Sequence, residues 1–274
     1  MYNNQKIVVV TPAGRKDYLN ILKNYVLTNP IVDEWQLWLN TTDKENINYL
    51  KHLNNSKLKV SIVRAHGSIG NNYQIHKFFK YCTKSNTIYI RLDDDVVWLE
   101  PNSLEKLIKF RISNPEYFLV FGNIIHNSIC DHIHQKNGAL KIDCEIGYDC
   151  LDKNGWENPK VAEKKHANLF NAIKNQETNT YKFDKWVLKD YERCSINVIS
   201  WLGKDFAAFD GEVGPDEENW LTQVKPKELG RPNCICGESL FSHFSFHTQS
   251  KHLLSTNILD EYKNLLLETN LCNQ

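Results

Sequence analysis

The sequence predicts an α/β protein, a mostly parallel sheet flanked by helices in a single domain. Three observations carry that prediction. Strand-like and helix-like periodicities alternate through the first half of the chain. The apolar runs are short and β-branched, as in Ile7-Val8-Val9-Val10. No linker, repeat or low-complexity tract divides the 274 residues. In order, residues 6–11 form the first strand, Pro12-Ala13-Gly14 a turn, and Asp17 caps a helix to about residue 27. Strand 35–39, a helix over about 43–53, strand 58–63, a Gly67/Gly70 loop and a helix to about Cys82 follow. Strand 87–92 runs into Asp93-Asp94-Asp95, and Val96 to Leu99 leads to Pro101, which starts a helix through Arg111. A strand at 117–122 closes this regular half. Beyond it the pattern gives a polar, irregular stretch over 127–159, a helix over 160–174, a strand near 195–201 and an amphipathic helix over about 258–267.

Composition excludes several classes. Hydrophobic residues make up 41% and charged residues 24%, which is ordinary for a globular chain. The 33 basic and 33 acidic residues cancel, so the electrostatic footprint of a nucleic-acid-binding protein is missing. No apolar run approaches the roughly 18 residues of a membrane span. Met1 to Lys6 leads into a strand with no signal-like apolar region, which points to a cytoplasmic location. The eight cysteines then read as reduced thiols.

The acidic triplet is the most informative feature. In an open α/β sheet, ligands bind beyond the carboxyl ends of the strands. Thr11, Ala13, Arg15 and Asp93 to Asp95 all fall there. If the strand continues extended, Asp93 and Asp95 share a face and Asp94 points away. Two carboxylates so placed repel unless a divalent cation such as Mg²⁺ or Mn²⁺ lies between them. A solvated acidic turn is the competing reading, but the apolar segments on both sides hold the triplet on rigid backbone.

Arg91-Leu92-Asp93-Asp94-Asp95-Val96-Val97-Trp98 resembles the DxD motif of GT-A fold glycosyltransferases, a Rossmann-like architecture. Thr11-Pro12-Ala13-Gly14-Arg15 resembles that fold's nucleotide-contacting loop. The blocks 214–222, 230–233 and 243–246 are similar to blocks of small bacterial and large-DNA-virus glycosyltransferases. The resemblance implies a nucleotide-sugar-binding half over 1–125 and an acceptor-side half over 126–274. It implies a metal held by Asp95, with Asp93 nearer the donor ribose, Asp94 lining the site and a late histidine, His243, reaching the metal or the diphosphate. Thr11, Ala13, Arg15, Asn72 and Arg91 would border the donor, a UDP-sugar, and the acceptor would be the hydroxyl of a glycan. An acid of the Asp216-Glu217-Glu218 block, Asp216 first and Glu217 next, would be the base of an inverting reaction.

Each of these residues has a structural reading as well. Arg91 balances the acids. Asp216 to Glu218 open a helix at its positive end, and Asn71-Asn72-Tyr73 is a cap and turn. The alternation of residues 241–247 puts His243 and His247 on one face of a strand. Cys234 and Cys236 with these histidines suggest zinc, but the C-x-C spacing fits two small buried residues better. Trp156 and Trp186, with polar flanks, are the tryptophans most suited to an acceptor. Two other functions stay open. One is Mg²⁺-dependent nucleotidyl transfer or phosphate hydrolysis, disfavoured by the absence of a DxDxT or GK[ST] motif. The other is a sugar-binding module without turnover.

Overall fold

A computed structural model describes residues 1–56, 60–63 and 72–272. Strands β1 (Lys6–Ala13), β2 (Glu34–Leu39), β3 (Val60–Val63) and β4 (Thr87–Leu92) alternate with helices α1 (Lys16–Leu27) and α2 (Lys44–Ser56) and a 3₁₀ helix, Asn72–Tyr81. After β4 come β5 (Val96–Leu99), α3 (Ser103–Ser113), β6 (Val120–Ile125), α4 (Ser128–Lys136) and α5 (Pro159–Lys174). The remainder is β7 (Lys185–Leu188), β8 (Val198–Leu202), α6 (Gly203–Ala207), α7 (Glu217–Asn219), α8 (Lys225–Leu229), β9 (Asn233–His243), α9 (His247–Leu253) and α10 (Ile258–Cys272).

The sheet order is β3-β2-β1-β4-β8-β6-β9-β5, with β7 also on β9. β3, β2, β1 and β4 are mutually parallel, and β6 and β9 run with them. β8, β5 and β7 run against them, so the sheet is mixed but mostly parallel. The 3-2-1-4 half is a Rossmann-like arrangement, whose crevice opens where β1 has β2 on one side and β4 on the other. β1 and β4 are buried on both faces, which explains their runs of Ile, Val, Tyr and Leu where one-sided strands would alternate. Helix α1 turns Tyr18, Leu19, Ile21, Leu22 and Val26 inward, a single apolar stripe.

Several sequence expectations shift. Helix α1 begins at Lys16 with Arg15 in the capping position, so Asp17 lies in the first turn and favours the dipole without capping. Helix α3 starts at Ser103, after Pro101, because Asn102 takes a left-handed conformation with φ 66°. The strand expected at 117–122 is Val120–Ile125, and the one near 195–201 is Val198–Leu202. The stretch 127–159 is less irregular than its composition suggests. It holds α4, opened by Asn127, whose side chain accepts from Cys130 N. Strand β9 ends at His243 and His247 begins α9, so the two histidines do not share a strand face. The Gly67/Gly70 loop and Asn71 lie outside the described residues. No described helix is long and apolar enough to cross a membrane.

A buried polar web lies under the second half. Lys165 and Asp131, both almost fully buried, pair at 2.7 Å. Lys165 also donates to Gly155 O at 2.7 Å, and Asp131 accepts from His126 N at 2.9 Å. His126, His134 and His166 are buried. Burial, helped by the Lys165 charge, pushes His134 and His166 down to about 3 and His126 well below its ordinary value. The unfolded chain therefore takes up protons on these rings below about pH 6.5 while the folded one does not, so the rings contribute a stability that rises with pH from about 3 to 6.5, opposed above the ordinary carboxylate range by the raised carboxyls of Asp94, Asp131 and Glu218. The slope is about 1.4 kcal/mol per pH unit for each such imidazole. His243 is shifted the other way and acts only above that window. Urea unfolding should show a lower midpoint at pH 5 than at pH 7. The difference should shrink in His134→Gln, and a difference that this variant leaves unchanged would mean that the ring is protonated in the fold.

Candidate active site

The β4–β5 connection builds the centre of the site. The triplet is a tight turn, closed by Val96 N donating to Asp93 O at 3.1 Å, and is not the continued strand that alternation assumed. Its three carboxylates therefore diverge. Asp94 reaches the β1–α1 junction, accepting from Gly14 N and Arg15 N at 3.0 Å each and from the Arg15 side chain. Asp95 faces Arg15 Nη2 at 3.0 Å and His243 Nε2 at 3.3 Å. Asp93 accepts from Arg91 Nε at 2.7 Å and from Asn197 Nδ2 at 3.4 Å. The expected Asp93–Asp95 face is thus replaced by an Asp94–Asp95 pair bridged by Arg15, with Asp93 on a separate guanidinium. Gly14 is required at the junction, because a Cβ there would sit 2.8 Å from Asn40 O.

Charge balance follows these contacts. Burial works against the Asp95 charge, but Arg15 and His243 outweigh it and hold its carboxyl well below the usual range. Burial likewise opposes the charges of Arg15 and Arg91, and their carboxylate partners outweigh it and raise both. His243 is raised by Asp95 against the pull of burial. Its Nδ1 faces His126 O at 3.3 Å, which fixes the ring and turns Nε2 toward Asp95. The Asp95–His243 pair can hold a proton or a metal ion, not both.

Two cavities meet at one wall. A cavity of about 190 Å³ is lined by Pro12, Arg15, Asn40, Ile75, Arg91, Asp93, Asp94 and Glu217. A second, of about 300 Å³, includes Trp156, Arg193, Asn197, Glu218, Phe246 and His247 and shares Arg91, Asp93 and Glu217 with the first. Arg91 Nη1 lies 2.9 Å from Glu217 Oε1. Glu217 Oε2 and Asn197 Oδ1 are buried acceptors with no hydrogen-bond partner among the described residues.

The other expected residues divide. Thr11 is fully buried and its Oγ1 accepts from Trp35 Nε1 at 2.9 Å, while Ala13 is also buried, so Pro12 between them is what reaches the cavity. The Asn72 side chain lies outside what is described. Asp216 is the cap of α7, accepting from Asn219 N at 3.1 Å, and it pairs with Arg193 at the surface. It lines neither cavity. Glu218 does, held by Arg193 Nε at 2.7 Å, and burial raises its carboxyl against that guanidinium. Cys234 and Cys236 are buried within β9 and free. Among the described residues no group of three or more His, Cys, Asp or Glu side chains converges to hold a metal, so the zinc reading fails. A divalent cation that keeps one or two protein ligands and completes its shell with phosphate oxygens and water does not need such a cage.

No family model matches the chain, and no curated protein matches it in sequence. Solved structures resemble it at low identity. CMP:2-keto-3-deoxy-manno-octonic acid synthetase, solved with CTP, is 12% identical with a TM-score of 0.48, over 91% of this chain and 98% of its own. The 4-diphosphocytidyl-2C-methyl-D-erythritol synthase of Anaerococcus prevotii is 11% identical at TM-score 0.48, over 96% and 97%. A mycobacterial protein is 12% identical at TM-score 0.48, over 88% of this chain and 68% of its own. Likeness at this level concerns the fold and says nothing of what this chain binds. None of the three is named as a glycosyltransferase.

Proposed function

We propose that this chain is a divalent-metal-dependent transferase that takes a sugar from a nucleotide-activated donor, a UDP-sugar, and passes it to a hydroxyl acceptor. The observation that supports this reading is the wall of Arg91, Asp93 and Glu217 standing between two cavities. The cavity at the β1 and β4 ends suits the donor, and the one beside Trp156 and Arg193 suits the acceptor. Asp95 and His243, buried behind the lining of both cavities, would hold Mn²⁺ or Mg²⁺ only by giving up their contact with each other, and the ion would supply charge that neutralises the departing diphosphate. Arg15, half exposed beside Asp94 and Asp95, supplies fixed positive charge at the same place. Glu217, with one oxygen on Arg91 and the other unpartnered, is placed to take the acceptor proton.

Nucleotidyl transfer is the second reading, and the names of the two synthetases fit it better. One feature of the fold weighs the other way. Free backbone N–H groups at a helix N-terminus are a ready cradle for a triphosphate, and here Gly14 N and Arg15 N are taken by Asp94, so side chains or a metal would have to hold it instead. The two are separated by following the leaving group. With Mn²⁺, glycosyl transfer releases UDP from a UDP-sugar, whereas nucleotidyl transfer releases pyrophosphate from CTP or UTP. A thermal-shift series with UDP, CTP and UTP, with and without Mn²⁺, precedes it. Absence of any metal-dependent shift would remove both readings.

A further inference from the structure

Beyond the larger cavity two stretches of chain run side by side toward the surface. Cys150 Sγ lies 3.2 Å from Ser195 Oγ, and Tyr148 OH donates to Glu192 Oε1 at 3.2 Å. At their inner end Leu151, Arg193 and Ser195 line the cavity. At their outer end Trp186, on the edge strand β7, donates through Nε1 to Tyr148 OH at 2.7 Å. The two rings meet edge to face, 6.0 Å apart at 61°. His132 backs Tyr148 at 5.3 Å and is itself fixed by Ile146 O at 2.7 Å. Trp186 is 40% exposed, Tyr148 36% and Leu151 47%.

Single exposed aromatics need no explanation. These two are tied to each other and to Glu192, whose chain neighbour Arg193 lines the cavity. We propose that Tyr148 and Trp186 form a distal carbohydrate subsite, so that the acceptor is a chain of several sugar units whose far end lies on this pair. The assignment of the acceptor to the adjoining cavity rests on the transferase reading. A sugar ring offers an apolar C–H face and a rim of hydroxyls. Two aromatic rings fixed by their own hydrogen bonds, with the Glu192 carboxylate beside them still able to accept from a sugar hydroxyl, offer the complement at little cost in side-chain freedom. Arg193, the arginine beside this pair, is already held by Asp216 and Glu218, and Glu192 faces Tyr148, so a phosphate backbone would find a carboxylate here and an arginine already engaged.

The test is binding of the whole protein to an array of mono- to hexasaccharides, followed by calorimetry with the tightest glycan found. Retention of glycans of three or more units is expected, with Kd weakened about tenfold or more in Trp186→Ala and Tyr148→Ala. Trp186→Phe should keep most of the affinity, and UDP–Mn²⁺ binding should be unchanged in all three. The mutated side chains are at the surface, and melting curves confirm that each variant folds. No glycan retained, or Trp186→Ala binding as tightly as the unmodified chain, overturns the subsite. Glycan binding that depends on Trp186 without any nucleotide binding keeps the subsite and removes the transferase. Nucleotide binding without it does the reverse.

Discussion

Replacing Lys165 by Met should cost about 3–5 kcal/mol of folding stability, because it strands the Asp131 carboxylate in the core without its counter-charge. The pair is almost wholly shielded, and Lys165 also satisfies Gly155 O, so no solvent can take over either bond. Removing both charges with Lys165→Met and Asp131→Leu should recover much of the loss, since the desolvation of both ions is then relieved. Recovery should be incomplete, because His126 N and Gly155 O each lose a partner. Urea unfolding of the two single variants and the double variant reads this directly. A Lys165→Met loss below about 1 kcal/mol would show that the pair is not buried as described.

Glu217→Gln should lower transfer by roughly 10² to 10⁴, the range of general-base assistance. Glutamine keeps the size of the side chain and an acceptor for Arg91 but cannot take a proton. Asp216→Asn should leave both rate and stability nearly unchanged, because Asn caps a helix about as well as Asp. UDP–Mn²⁺ affinity should survive in both variants, which separates loss of chemistry from loss of donor binding. If Asp216→Asn suppresses transfer while Glu217→Gln does not, the acid at the surface is the base and the wall between the cavities is structural.

These expectations also mark where sequence reading stops. The first four strands were legible because each is a local, β-branched run with a helix behind it. The strand-end position of the triplet was legible for the same reason. Its shape was not, since alternation holds only while backbone stays extended and Asp93 to Asp95 turn. Thr11 and Pro12 differ by one residue, and which of them meets the cavity depends on the face Trp35 claims from β2. Asp216 carried the signature of a cap and proves to be one. That Glu217 faces inward follows from how α7 packs, which spacing does not encode. Arg193 and Asn197 come from a segment without regular structure and gave no periodic signal. The glycosyltransferase likeness rests on motifs alone.

The path of the chain through β5 has a consequence for synthesis on the ribosome. β4 lies in the centre of the sheet, yet the strand that follows the aspartates pairs with β9 at the far edge, Val96 opposite His243. The turn is therefore clamped by a partner that emerges only when most of the chain has been made. Such a long-range pairing is slow to form. Until β9 docks, Asp95 lacks its histidine and β5 lacks a strand to pair with, while Asp94 already has Gly14 and Arg15 within the first part of the chain. Completion of the Asp95–His243 contact is thus coupled to completion of the sheet.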